Sequence, residues 1–322
     1  MLMDNQPVKT IFMYTGQGSQ YYHMGAGLYA TNPVFRQRMD KLNHMATDLF
    51  GFSPLAGLYA PERLKSTPFE DTVLSSLTIF MLERAITDTL IHYDCRPDGV
   101  LSLSMGAFAA LCASGVSDDE TMLVALHRQA QAMERCCAGG IMVAVLAPVT
   151  LWQEEDTLRL NSEIAAINGE SHFVLSLPRS ALAQVEARLT IRKAPFQRMP
   201  VSRAYHSRWI EPACQEVLNA FGDVAFRRAK MPVSLCLAAP VSGDISPQIM
   251  WNIARGPICL RDAVQRLERE GGYRYLDAGP SGTAATLLKY MLPAARQSAV
   301  RSLLSPLKQD ERVLDELLIT AA

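Results

Sequence analysis

No run of about 18 apolar residues occurs anywhere in the 322-residue chain, so the sequence offers no membrane-spanning helix. Charge of one sign is lacking too. The 31 lysines and arginines stand against 32 acids, a formal net charge of −1 at pH 7. That balance supplies no basic surface for a polyanion, and no nucleic-acid partner is expected. The seven cysteines, Cys95, Cys112, Cys136, Cys137, Cys214, Cys236 and Cys259, are odd in number and never spaced C-x-x-C. A disulfide framework and a zinc site are therefore not expected, and a reducing cytoplasm is. The N-terminus places Asp4 early and carries no long apolar run, so no secretory leader is expected. Repeats and low-complexity tracts are missing. What remains is 49% hydrophobic and 20% charged, the composition of a globular chain with a full core. The length suits one large domain or two modest ones.

The most informative stretch is Val100-Leu101-Ser102-Leu103-Ser104-Met105-Gly106-Ala107-Phe108. An apolar run from Gly99 to Leu103 enters it, and a small-residue helix from Met105 to Ser114 leaves it. Ser104 sits at the junction. A serine on a sharp strand-to-helix turn projects its hydroxyl and faces following amides toward any anion formed beside it. That suits an acyl-enzyme nucleophile. The local pattern is S-x-S-x-G rather than G-x-S-x-G, and serines in such places are most often helix caps.

Upstream, Thr10 to Tyr14 reads as a buried strand. It runs into Thr15-Gly16-Gln17-Gly18-Ser19-Gln20, a glycine-rich turn, and then a helix opening near Met24. This is the layout of a ligand loop in an α/β fold. It is neither G-x-G-x-x-G nor a phosphate loop, whose lysine is missing. Ile79, Leu82, Ile86 and Leu90 mark an apolar helix face, and Asp118 to Glu134 a further amphipathic helix.

The texture changes at Ile141. Strands are expected at 141–146, 163–168, 172–177 and 196–201, with helices at 149–158 and 179–189. This β-α-β-β-α-β order is the ferredoxin-like unit. The fold expected is α/β: a large α/β-hydrolase-like domain with a parallel sheet, residues 1–139 and 204–322, and an inserted small ferredoxin-like domain, 140–203. In the second half of the large domain, helices are expected at 210–222, 248–254 and 260–270. Strands are expected near 233–237 and at 273–277.

Taken in order, these motifs resemble the malonyl-CoA:acyl-carrier-protein transacylase family, including the acyltransferase units of polyketide synthesis. Gly16-Gln17-Gly18-Ser19-Gln20 is similar to its opening G-Q-G-S-Q. Ser104-Met105-Gly106 resembles the end of its G-H-S-x-G elbow, Asn168-Gly169 its small-domain turn, Ala204-Tyr205-His206-Ser207 its histidine motif, and Gly279-Pro280 its late turn. The resemblance spans roughly residues 9–305. It implies Ser104 as nucleophile and His206 as base, the imidazole oriented by a main-chain carbonyl near Ile253 rather than by an Asp. It implies an oxyanion hole from the Gln17 and Met105 amides, each such donor worth roughly 3 kcal/mol of barrier. No metal and no cofactor are implied. The acyl group arrives as a phosphopantetheine or coenzyme A thioester, and an acyl carrier protein is the partner.

The departures bear on substrate. Leu103 stands for the family's His, Ser102 for its first Gly, Ala107 for its Glu and Thr15 for its Pro. Malonyl-handling members carry an Arg that grips the free carboxylate by a bidentate pair. Here that slot holds Gln129. Arg203 is the candidate substitute cation, while Leu103, Tyr205 and Asn168 are the further substrate-binding candidates. A neutral amide does not compensate a buried carboxylate. The chain therefore resembles the acyl hydrolases that clear stalled units from carrier proteins, which keep Ser and His and carry Gln in place of Arg. The alternatives are a malonyl transacylase with a rearranged anchor, and an inactive carrier-protein-binding module.

Overall fold

The computed structural model describes residues 8–241, 243–293 and 298–307; Asp4 and the outer ends of the expected large domain lie outside them. Nine strands are described: β1 (Lys9–Tyr14), β2 (Gly99–Ser102), β3 (Gly140–Val145), β4 (Glu163–Gly169), β5 (His172–Pro178), β6 (Phe196–Arg198), β7 (Val233–Ser234), β8 (Tyr273–Asp277) and β9 (Ala299–Ser302). They form two sheets.

The larger sheet runs β7-β2-β1-β8-β9, and every pairing is parallel. β1 lies at its centre and is buried from Thr10 onward. Apolar residues on both faces are what a central parallel strand needs, since helices cover both sides. The register sets Tyr14 beside Ser102 and Met13 beside Asp277. Thr15, Leu103 and Ala278 therefore leave the sheet at the same edge. Outside the carboxyl ends of the strands is where open α/β sheets place ligands.

Helix Thr72–His92 packs into the core of this unit. The Asp71 side chain caps it, accepting from the Leu74 amide at 2.8 Å. Its residues are buried around nearly the whole circumference, the signature of an interior helix. Helix Asp119–Cys136 is capped in the same way by Asp118, which accepts from the Thr121 amide at 2.9 Å. Among the described residues no helix is long and apolar enough to cross a membrane.

The smaller sheet runs β4-β5-β3-β6, antiparallel throughout, the strand order of a ferredoxin-like unit. Side chains alternate across it with period two. Ile141, Val143, Val145, Phe173, Leu175 and Leu177 face its own helices. Met142 and Val174 face the other way, toward the large unit.

The chain enters and leaves this sheet at one place. The Gly140 amide donates to the Ser202 carbonyl at 3.0 Å, and a Cβ on Gly140 would lie 2.4 Å from the Ala204 nitrogen. Only glycine fits so close an approach. A second tie joins the units further along. Ile167 N–H donates to Ile258 O at 2.9 Å, and Ile258 N–H donates to Ala165 O at 2.8 Å.

Two expectations are corrected, and one strand is added. The helix expected over 149–158 is two, Thr150–Glu154 and Asp156–Asn161. Glu155 between them is extended and buried, its carboxylate held by Arg188 and Arg192. The helix expected over 210–222 begins as a 3₁₀ helix, Arg208–Ala213, because Pro212 has no amide to continue an α ladder. Edge strand β9 was not expected; only Val300 of its four residues is buried, too little alternation to read.

Candidate active site

Ser104 opens a 3₁₀ turn, Ser104–Gly106, that leads into helix Ala107–Ala113. Its φ is 52°, left-handed and unfavourable for a residue with a Cβ. Such a conformation costs about 1–3 kcal/mol and persists only where the surroundings impose it. They do so here. Leu103 N–H donates to Tyr14 O at 2.9 Å, and Gly106 N–H donates to Leu103 O at 3.0 Å. A Cβ on Gly106 would lie 2.5 Å from the Tyr14 carbonyl carbon, so the turn is pressed onto the end of β1.

The loop after β1 lies against this turn. A Cβ on Gly16 would come within 3.0 Å of the Met105 nitrogen and 3.1 Å of the Ser104 Cβ. The Gln17 side chain pins the loop to helix Thr72–His92, donating to Thr72 O at 3.1 Å and to Ser76 Oγ at 2.8 Å. Gln17 and Met105 both line the cavity beside Ser104.

His206 also has a positive φ, 60°, and is 3% exposed. Its Nε2 lies 2.8 Å from Ser104 Oγ, and its Nδ1 lies 2.8 Å from the Gly256 carbonyl oxygen. A carbonyl only accepts, so Nδ1 carries the proton and Nε2 is left to accept from the serine hydroxyl. Burial pushes the imidazole down to about 4. The Gly256 carbonyl opposes that shift and the nearby Arg255 charge adds to it. The ring is therefore neutral throughout the usual working range.

The orienting carbonyl is that of Gly256, not one near Ile253 as the sequence suggested. Helix Pro247–Arg255 ends at Gly256, whose extended ψ of 159° turns the chain out of the helix. Two residues on, Ile258 is bonded to β4, so the small sheet helps to fix the carbonyl behind His206.

The cavity in front of Ser104 encloses about 120 Å³. Leu103, Gln129, Asn168 and Tyr205 line it, as the sequence reading requires of substrate-binding candidates. Met142, Val174 and Met199 of the small unit close it; sequence reasoning missed them. The period-two pattern of β3 and β5 was the signal that marked Met142 and Val174 as facing away from the unit's own core. The Gln129 Oε1 is buried with no protein partner among the described residues. Asn168 Nδ2 lies 3.0 Å from His172 Nδ1.

Arg203 does not line the cavity. Its guanidinium donates to the carbonyls of Met133, Ser202 and Glu134 at 3.1, 3.1 and 3.2 Å, closing the C-terminal end of helix Asp119–Cys136. Cations favour that end of a helix, and this one is already occupied there. Among the described residues no lysine or arginine lines the cavity. Nor do three His, Cys, Asp or Glu side chains among them gather in a metal-holding group.

The sequence pattern of the family described as acyl transferase domain matches residues 11–313. The chain belongs to the acyl transferase family. It is 35% identical over 313 residues to the polyketide biosynthesis acyltransferase homolog BaeD of Bacillus velezensis, covering 97% of this chain and 96% of that protein. It is 34% identical over 311 residues to the polyketide biosynthesis acyltransferase homolog PksD of Bacillus subtilis, covering 97% and 95%. These full-length relatives place it with the acyltransferases of polyketide biosynthesis. The fold agrees. The acyl transferase domain of SpnD, solved in complex with 2-(pent-4-yn-1-yl)malonyl, superimposes with a TM-score of 0.88 at 22% identity, covering 99% of this chain and 78% of that one.

Proposed function

We propose that this acyltransferase-family chain is a serine-dependent acyl hydrolase or acyltransferase acting on acyl-carrier-protein thioesters, favouring acyl groups without a free carboxylate. The observation that carries the chemistry is the 2.8 Å contact between Ser104 Oγ and His206 Nε2, backed by the Gly256 carbonyl. Nucleophile, base and orienting group stand in the order that activates a hydroxyl.

Ser104 Oγ attacks the thioester carbonyl as its proton passes to His206 Nε2. The charge that builds on the carbonyl oxygen is met by the Gln17 and Met105 amides. Collapse of the tetrahedral species expels the thiolate, which takes the proton from Nε2, and leaves the acyl group on Ser104. In the second half-reaction water or a carrier thiol gives its proton to Nε2 and its electron pair to the acyl carbon. Ser104 leaves and is reprotonated. The imidazolium formed at each step is transient, in keeping with a buried ring that favours its neutral form.

The acyl preference follows from charge. A malonyl carboxylate in this cavity would meet a neutral amide at Gln129 and no cation among the described residues. Burying an anion without a partner costs several kcal/mol. Acetyl and longer neutral groups carry no such penalty. The malonyl alternative needs Arg203, whose donors are committed elsewhere. An inactive binding module would have no use for a hydrogen-bonded Ser104 and His206.

The test is mass spectrometry of the intact protein after exposure to acetyl-, butyryl- and malonyl-carrier thioesters. Acetyl or butyryl adducts on Ser104, and little malonyl, are expected. A dominant malonyl adduct overturns the acyl preference, and no adduct with any of the three, with no thioester consumed, overturns the activity.

A further inference from the structure

Glu83 is a buried acid that the mechanism above does not use. It is 1% exposed, midway along helix Thr72–His92, with buried Met81, Leu82 and Arg84 as neighbours in sequence. Its Oε1 accepts from the Thr15 amide at 2.6 Å and lies 3.4 Å from Thr15 Oγ1. Thr15 Oγ1 donates onward to Ser19 Oγ at 3.2 Å, and Ser19 Oγ donates to Gly16 O at 2.7 Å. These bonds span the Thr15–Ser19 loop, and Gln17 lies between them.

The surroundings make Glu83 an expensive way to satisfy one amide. The charge that acts on it is a second buried carboxylate, Asp277, fully buried on β8. Asp277 accepts from the Gly279 and Ala285 amides at 2.9 and 2.8 Å. A Cβ on Gly279 would lie 2.2 Å from Thr15 Oγ1, so this turn is packed onto the same threonine. Two acids beneath one loop oppose each other's ionisation. An apolar residue at position 83 would avoid that repulsion and leave the Thr15 amide buried without an acceptor.

We propose that Glu83 is a positioning residue for acyl transfer: by holding the Thr15 amide it fixes the loop that aims the Gln17 amide at the reacting carbonyl oxygen. The inference rests on the assignment of Ser104 and the Gln17 amide made above. Burial and Asp277 both push the Glu83 carboxyl well above the usual carboxylate range, so the neutral acid is favoured. Glutamine copies the neutral acid in length and carbonyl. Aspartate keeps the acid and is one methylene short. Reach, not acidity, is what the role requires.

The experiment compares Glu83→Gln, Glu83→Asp and Glu83→Leu with wild type in acylation of Ser104 by an acetyl-carrier thioester, alongside hydrogen exchange of the Thr15 amide. Glu83→Gln should stay within about threefold of wild type. Glu83→Asp and Glu83→Leu should lose about tenfold to a hundredfold in kcat with KM little changed, the cost of a misplaced group rather than a missing pocket. The Thr15 amide should lose protection in those two alone. The proposal is overturned if folded Glu83→Asp or Glu83→Leu acylates as fast as wild type, or if Glu83→Gln is as slow as Glu83→Leu. Should Glu83→Leu fail to fold, the Asp and Gln variants decide. A wild type that acylates nothing counts against the functional reading itself, which separates the two failures.

Discussion

On one side of the Ser104 cavity a serine and a histidine are held by main-chain geometry; on the other the wall is mostly apolar side chains. The large unit contributes Ser104 and His206, both held at positive φ, the cavity-lining residues Gln17 and Met105, and the Gly256 carbonyl. Its geometry is enforced by close backbone packing at Gly16 and Gly106. The small unit contributes Met142 and Val174 on its regular sheet, Met199 just past β6, and the one polar side chain of Asn168 on β4. Main-chain groups hardly vary with residue identity, whereas apolar side chains exchange readily. The comparison suggests a fixed reaction on one wall and an adjustable acyl preference on the other.

The sharpest way to break that division is at the nucleophile. Ser104→Ala removes only Oγ from the turn, so the fold should persist and acyl-adduct formation should vanish. A covalent acyl adduct still seen by mass spectrometry on the folded variant would mean that another residue is the nucleophile.

His206→Ala should slow acylation by about two to four orders of magnitude. The pH profile carries a second check. In the proposed mechanism the neutral ring is the base, and burial sets its folded value at about 4, below the ordinary 6.5. For the free enzyme kcat/KM should therefore stay level as pH falls through 6.5 and decline only near pH 4. A decline centred at 6.5, with chemistry rate-limiting, would show that the ring is not buried in solution.

Gln129→Arg tests the boundary between the walls, because Gln129 lies on a helix of the large unit and the proposed function gives it a part in acyl choice. Restoring a guanidinium should shift the malonyl-to-acetyl preference by about tenfold to a hundredfold toward malonyl, the range of a charge-assisted hydrogen-bonded pair. Competition between the two thioesters for Ser104 measures it. No shift would mean that the carboxylate of malonyl does not reach this position.

Smallest of all should be Met142→Ala. Shortening one side chain of the small-unit wall should favour longer acyl chains by about two- to tenfold while leaving acetyl turnover nearly unchanged, since neighbouring flexible side chains such as Met199 fill part of the space. A large loss with acetyl would show that the small sheet takes part in the chemistry and not only in selection.

The parts legible in the sequence were those written in side chains or in strong periodicity. Ser104 and His206 stood in recognisable surroundings, and the alternation along β3 and β5 marked the second sheet. The Gly256 carbonyl was placed three residues away because a carbonyl leaves no trace in residue type. Arg203 was a candidate cation because spacing gives proximity along the chain but not direction. Only the structure shows its fork turned to the end of helix Asp119–Cys136. Glu155 hid a helix break, since an acid in a helical pattern reads as surface until its two arginine partners are seen. Glu83 was invisible for a related reason. An acid within an apolar helix says nothing of the amide, 68 residues earlier, that it accepts from.

The Gly140 to Ser202 hydrogen bond has a consequence for how such chains diversify. A segment whose two ends meet closes its own loop, so the cost of confining it depends only weakly on its length. A graft from another acyltransferase, longer or shorter, needs to offer two ends one hydrogen bond apart, a glycine at the first, and an edge strand able to pair with Ile258. Those three conditions define a splice point at which the selecting wall can be exchanged without recutting the turn that carries Ser104.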